Sequence, residues 1–162
     1  GVKADELSIP VGRISVTLES QVADYLAKIK QYEHDSNGDQ GWKKTVLHVN
    51  GGHSAGEITG FKNNFEKFAQ YITNGTFGGK VVPFVKKSFE PVEELDITPE
   101  VNEGVGMISY MGHGSLYITD LNFGFASAVS KGYRNAGKYP LLCLKTRNLI
   151  FRVKKASGFS TA

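Results

Sequence analysis

Three side chains in this sequence could break a carbonyl bond if the fold brought them together: His113, Cys143 and Glu57. His113 stands between Gly112 and Gly114, directly after an apolar run. The chain can therefore turn sharply and leave the imidazole at a strand tip, where it could act as acid or base. The same placement also describes a turn histidine open to water. Gly114 could aim its backbone amide at a developing oxyanion. Cys143 is the one cysteine of the chain and hence its one candidate thiol nucleophile. A thiol beside an imidazole ionises more readily, and its thiolate attacks a carbonyl carbon. Leu141, Leu142 and Leu144 around it fit equally well an inert thiol buried among apolar neighbours. Glu57 opens a helical segment, where a carboxylate gains from the helix dipole, or it could accept from His113 and orient it.

Other constellations are weaker. His48 and His53 have no metal-ligand spacing, and a lone cysteine forms neither an internal disulfide nor a cysteine-based zinc site, so no metal is expected. The turn Gly51-Gly52-His53-Ser54-Ala55-Gly56 places histidine where a dinucleotide loop needs its middle glycine. No acid follows to hold a ribose, so no cofactor is expected.

The elements that must position these groups follow from periodicity. Val22, Tyr25, Leu26 and Ile29 share one face of a helix over Glu19 to Glu33, with Ser20 available as N-cap. A β-prone stretch, Val11 to Val16, precedes it, and a polar loop from His34 to Asp39 follows. Thr45 to Val49 reads as a strand. After the glycine turn, Ile58, Phe61, Phe65, Phe68 and Ile72 mark a buried helical face. Lys80 to Val85 reads as a strand that Pro83 assigns to an edge or an irregularity. A surface loop over Phe89 to Thr98 leads to a short helix near Glu100 to Glu103. Gly106 to Met111 and Tyr139 to Leu144 are further strands, with a helix expected over Leu121 to Lys131 between them. Strands alternating with helices predict one α/β domain with a mostly parallel sheet, whose site lies at the carboxyl ends of the strands.

Composition agrees with a single ordinary soluble domain: 162 residues, 40% hydrophobic, 22% charged, net charge +3. No apolar run is long enough to span a membrane, and the first residues hold no signal-peptide core. The positive charge is concentrated in Lys145, Arg147, Arg152, Lys154 and Lys155. Removing those five from the 19 basic residues leaves 14 against 16 acidic, so the body is slightly acidic. Phe151 is the one aromatic among the basic residues, and no nucleic-acid motif accompanies them. The stretch 145–162 is therefore read as an atypical solvated tail, and no nucleic-acid partner is expected.

Taken in order, Ile9-Pro10-Val11-Gly12-Arg13-Ile14, Tyr32-Glu33, Leu47 to Glu57 and Ser109 to Ser115 resemble the gingipain-type cysteine peptidases. The resemblance is to their branch of type IX secretion peptidases and sortases. It runs from about Ile9 to Leu144, with Tyr110-Met111-Gly112-His113-Gly114-Ser115 as its most specific part. It implies a caspase-like three-layer α/β sandwich and thiol-dependent cleavage of peptide or protein substrates. It further implies His113 as acid or base, Gly114 in the oxyanion hole and Glu57 as the residue orienting His113. Work outside the cytoplasm, at the cell surface or in the periplasm, and further domains of a larger parent protein are also implied. The departure is at the nucleophile: the family cysteine aligns nearer Thr146 or Arg147 than Cys143. Cys143 could substitute if the strand end shifted by three or four residues, about 10 to 13 Å of extended chain. A fragment of a peptidase domain, or one with an altered end, is the corresponding expectation, and a catalytically dead peptidase-like binding or structural module is the alternative.

Overall fold

The computed structural model describes residues 14, 16–34, 38–115, 118–126 and 128–146. The entry motif at 9–13, most of the stretch Val11 to Val16, loop residues 35–37 and the tail beyond Thr146 lie outside the described residues.

Helix α1 (Glu19–His34) forms where the apolar spacing places it. Its start is fixed by Gln21 rather than Ser20, which lies inside the helix: the Gln21 carboxamide oxygen accepts from the amides of Thr17 at 2.8 Å and Leu18 at 3.3 Å. Tyr32 meets Trp42 edge-on at 5.8 Å, and the Tyr139 hydroxyl donates to Gln31 Oε1 at 2.5 Å. These contacts hold α1 near the amino-terminal end of the sheet.

Strands β1 (Thr45–Asn50), β2 (Lys80–Val85), β4 (Met107–Gly112) and β6 (Leu141–Thr146) form a sheet in the order β2-β1-β4-β6, every pair parallel. Helix α2 (Ala55–Thr73) connects β1 to β2 and lies on one face, where Phe65 stacks on the buried His48 ring at 4.4 Å. On the other face Leu47, Val49, Ile108 and Tyr110 pack with Ile97, Val101 and Val105, carried by and flanking the short helix α3 (Thr98–Glu103). This is the helix-flanked, mostly parallel sheet that the sequence pattern predicts, and it is consistent with the caspase-like fold that the resemblance implies. Among the described residues Pro83 does lie in an edge strand. Because the Lys86 amide donates inward to Asn50 O at 2.8 Å, the alternation of the strand turns Pro83's nitrogen outward, where its missing hydrogen leaves no gap in the ladder.

Two expectations are corrected. No continuous helix covers Leu121 to Lys131: Leu121–Asn122 forms β5, parallel to β3 (Glu93–Glu94), and only Val129–Lys131 makes a 3-10 turn. Gly124, at φ +75, breaks the backbone run, and Leu121 is drawn into the core instead. Cys143 is not a buried apolar thiol but exposed, with Leu141 and Leu142 beside it also about half exposed. Among the described residues β6 is an outer strand of the sheet, so three leucines around a cysteine do not ensure its burial.

Candidate active site

The loops after β1 and β4 meet at the carboxyl end of the two central strands. Gly51 donates its amide to Met111 O at 2.8 Å, so the glycine turn and the His113 loop leave the sheet side by side. The glycine turn then feeds α2. Ser54 caps it by accepting the Glu57 amide at 3.3 Å, while the Glu57 carboxylate reaches back to the His53 amide at 2.9 Å. This reciprocal arrangement, close to a capping box, fixes the carboxylate over the helix start.

The same carboxylate meets the imidazole of His113: Nε2 lies 3.0 Å from Oε1 and 3.1 Å from Oε2 of Glu57. The His53 amide and then the His113 imidazole hold the Glu57 carboxyl below its ordinary pKa, against some desolvation. Glu57 is therefore a carboxylate at neutral pH, and it occupies Nε2. Nδ1 is the ring nitrogen left to exchange a proton with another group. The His53 ring stacks on His113 at 4.3 Å between centroids and 18° between planes.

Asp120 completes the site, and sequence reasoning did not single it out. Its buried carboxylate accepts backbone amides from Gly52 at 2.7 Å, His113 at 3.1 Å and Leu121 at 2.8 Å, and it bonds the Tyr110 hydroxyl. That hydroxyl also lies 2.5 Å from His113 O. Burial, and then the Asp120 carboxylate, push the Tyr110 phenol far above its ordinary pKa, so it stays protonated. A Cβ on either Gly51 or Gly112 would run into the Asp120 carboxylate. The one sequence signal for Asp120 was thus indirect: two glycines that its oxygens require.

Gly114 pairs with Thr119 in an isolated antiparallel bridge flanked by Asp120 N to His113 O at 3.0 Å and Ser115 N to Ile118 O at 2.8 Å. In this non-hydrogen-bonded position its amide points away from Thr119, the orientation an oxyanion donor needs. Cys143 is not brought to this cluster. It lies opposite Ser109 in the β4–β6 register, whereas Gly112, the last residue before His113, lies opposite Thr146.

The sequence model of peptidase family C25 matches residues 3–146. The chain belongs to that family. C25 is the gingipain family, so the chain is a cysteine-peptidase domain, with proteins as the substrates such a family acts on. No curated protein and no solved structure matches it. Gingipain-family peptidases are generally extracellular or cell-surface proteins. Among the described residues of this C25 domain no helix is long and apolar enough to cross a membrane, and no cluster of His, Cys, Asp and Glu suits a metal ion. A cavity of about 550 Å³, lined in part by Trp42, Thr45, Lys80 and Glu103, opens at the amino ends of the strands. It is therefore remote from His113.

Proposed function

We propose that the domain is an endopeptidase site in which His113 shuttles the proton, Glu57 orients it and Gly114 helps to hold the oxyanion. The observation that carries this reading is the contact of His113 Nε2 with both Glu57 oxygens at 3.0 and 3.1 Å. In the reaction a thiol gives its proton to His113 Nδ1 as its sulfur bonds the peptide carbonyl carbon. The carbonyl oxygen takes up the displaced electron pair beside the Gly114 amide. Collapse breaks the carbon–nitrogen bond while His113 returns the proton to the leaving amine, and water, deprotonated by the same imidazole, then hydrolyses the thioester. Acylation and deacylation each begin with neutral His113, and Glu57 stabilises the imidazolium formed within each.

Cys143 is the thiol available to this mechanism. Action on peptide or protein substrates outside the cytoplasm, within a larger parent protein of the type IX secretion branch, accords with the family. Thiol-directed affinity labelling tests the assignment. Labelling of Cys143 by a peptidyl electrophile that disappears in His113→Ala supports it, and labelling indifferent to His113 refutes Cys143 as the nucleophile.

One observation favours a second reading, a peptidase-like binding module. Cys143 lies opposite Ser109, and reaching the level of Gly112 takes three more residues of β6, about 10 Å of strand. This reading predicts that Cys143→Ala leaves peptide binding unchanged and that no turnover is measurable in either protein.

A further inference from the structure

One peptide plane joins His113 to the proposed oxyanion donor. The His113 carbonyl and the Gly114 amide belong to the same trans unit, so they point in opposite directions. Whatever holds that carbonyl therefore aims the Gly114 N–H. Two donors hold it: the Asp120 amide donates to His113 O at 3.0 Å, and the Tyr110 hydroxyl reaches the same oxygen at 2.5 Å while also bonding the Asp120 carboxylate. The preceding peptide plane is held as well, since the His113 amide donates to Asp120 Oδ2 at 3.1 Å. Both planes that meet at the His113 Cα are thus fixed by the Tyr110–Asp120 pair.

Tyr110 is a firm anchor for this purpose. It is 1% exposed, it comes from β4, which has a neighbour on each side, and its ring meets Phe123 edge-on at 6.5 Å. Burial, and then the Asp120 carboxylate, keep the phenol protonated, so its hydrogen is there to be shared between the two acceptors. We infer that Tyr110 is a positioning residue for the oxyanion hole: by holding the His113 carbonyl it turns the Gly114 N–H toward the oxygen that gains charge as the thiol adds. The Asp120 amide supplies the second hold, and one buried pair thereby sets the imidazole and the oxyanion donor relative to each other. An amide that swings through a wider cone spends less time on the developing oxyanion, so loss of the hydroxyl is felt in the transition state. This rests on the reading of Gly114 as the oxyanion donor, and it names what aims it.

Backbone nitrogen NMR relaxation of the full chain tests it without requiring turnover. The Gly114 N–H is expected to be rigid in the unaltered protein, with an order parameter of about 0.85, and to fall toward about 0.6 in Tyr110→Phe, which keeps the ring and removes the hydroxyl. Ile108→Val loosens the packing of the same strand without touching the hydroxyl and should leave Gly114 rigid. Unchanged order parameters along β1 in each variant separate loss of the contact from loss of the fold. A Gly114 amide that is mobile in the unaltered protein overturns the inference, and that measurement does not depend on the variant folding. An amide equally rigid in Tyr110→Phe, or equally loosened in Ile108→Val, overturns it too. In turnover Tyr110→Phe should lower kcat about tenfold at unchanged KM, because the oxyanion forms only beyond the ground state, and a loss confined to KM counts against it. Absence of turnover in the unaltered protein would bear on the proposed function and leave the relaxation result to decide this one.

Discussion

Asp120 holds His113 by the backbone and not by the ring: the His113 amide donates to Asp120 Oδ2 at 3.1 Å, while the ring is left to Glu57 at 3.0 Å. Position and protonation of the same residue are therefore assigned to different carboxylates. Because Asp120 is buried and takes three backbone amides as well as the Tyr110 hydroxyl, removing it strands several donors at once. Asp120→Ala is expected to cost about 3 kcal/mol or more, read as a fall in the urea midpoint. Asp120→Asn, which keeps one acceptor oxygen, should cost less.

The two glycines facing Asp120 give a sharper test of the same contact. Gly51→Ala places a methyl group against the Asp120 carboxylate, Gly112→Ala places one against the Tyr110 hydroxyl and then that carboxylate, and each should destabilise by about 1 to 3 kcal/mol. In an Asp120→Ala background the Gly51 substitution should cost distinctly less, and a double-mutant cycle by urea unfolding measures that coupling. Strict additivity would mean that the clash is relieved elsewhere.

Glu57 serves α2 and His113 together, and its depressed pKa makes that service dependent on pH. A carboxyl whose folded pKa lies below the unfolded value of about 4.3 stabilises the protein above that pH, and the contribution is lost as pH falls through the folded value. Glu57→Gln should therefore flatten the stability profile below about pH 4.5 relative to the unaltered protein, as measured by chemical unfolding at successive pH values.

His48 has the opposite charge type. Burial beneath Phe65 lowers its pKa from 6.5, so between that pH and its folded value the unfolded chain binds the extra proton. Stability should fall as pH drops below about 6.5, and His48→Phe should weaken that slope if packing is retained. The ring is remote from the His53–His113 stack in the sheet register, so its slope should persist in His53→Phe.

The register of β6 predicts where a thiol belongs. Thr146 lies opposite Gly112. Thr146→Cys in a Cys143→Ala background should create a cysteine labelled by peptidyl electrophiles at least tenfold faster with His113 present than in His113→Ala.

Much of this fold was legible because its signals are local. The spacing of Phe61, Phe65 and Phe68 placed α2, and Pro83 marked β2 as an edge or an irregularity, of which the structure shows the edge among the described residues. The two members of the His113–Glu57 contact were separable as candidates because each stands at the tip of such an element, though 56 positions apart. What escaped the sequence is what tertiary contact decides. Leu121 has helix-compatible neighbours but pairs as β5 with Glu93, and Ser20 lost the α1 start to the longer reach of Gln21. Asp120 looked like an ordinary loop acid, since its role consists of amides brought to it from Gly52 and His113. Cys143 misled in the other direction, because apolar neighbours in sequence bury a thiol only when another layer covers that strand.

The outward nitrogen of Pro83 gives the sheet a direction of growth. A peptide docking along the outer rim of β2 would find its row of donors broken at the middle of the strand. The outer rim of β6 has no proline from Leu141 to Thr146 and is bordered by exposed leucines. Among the described residues, an extended segment pairing along the sheet would therefore meet an interrupted row of donors on the β2 rim and an uninterrupted one on the β6 rim.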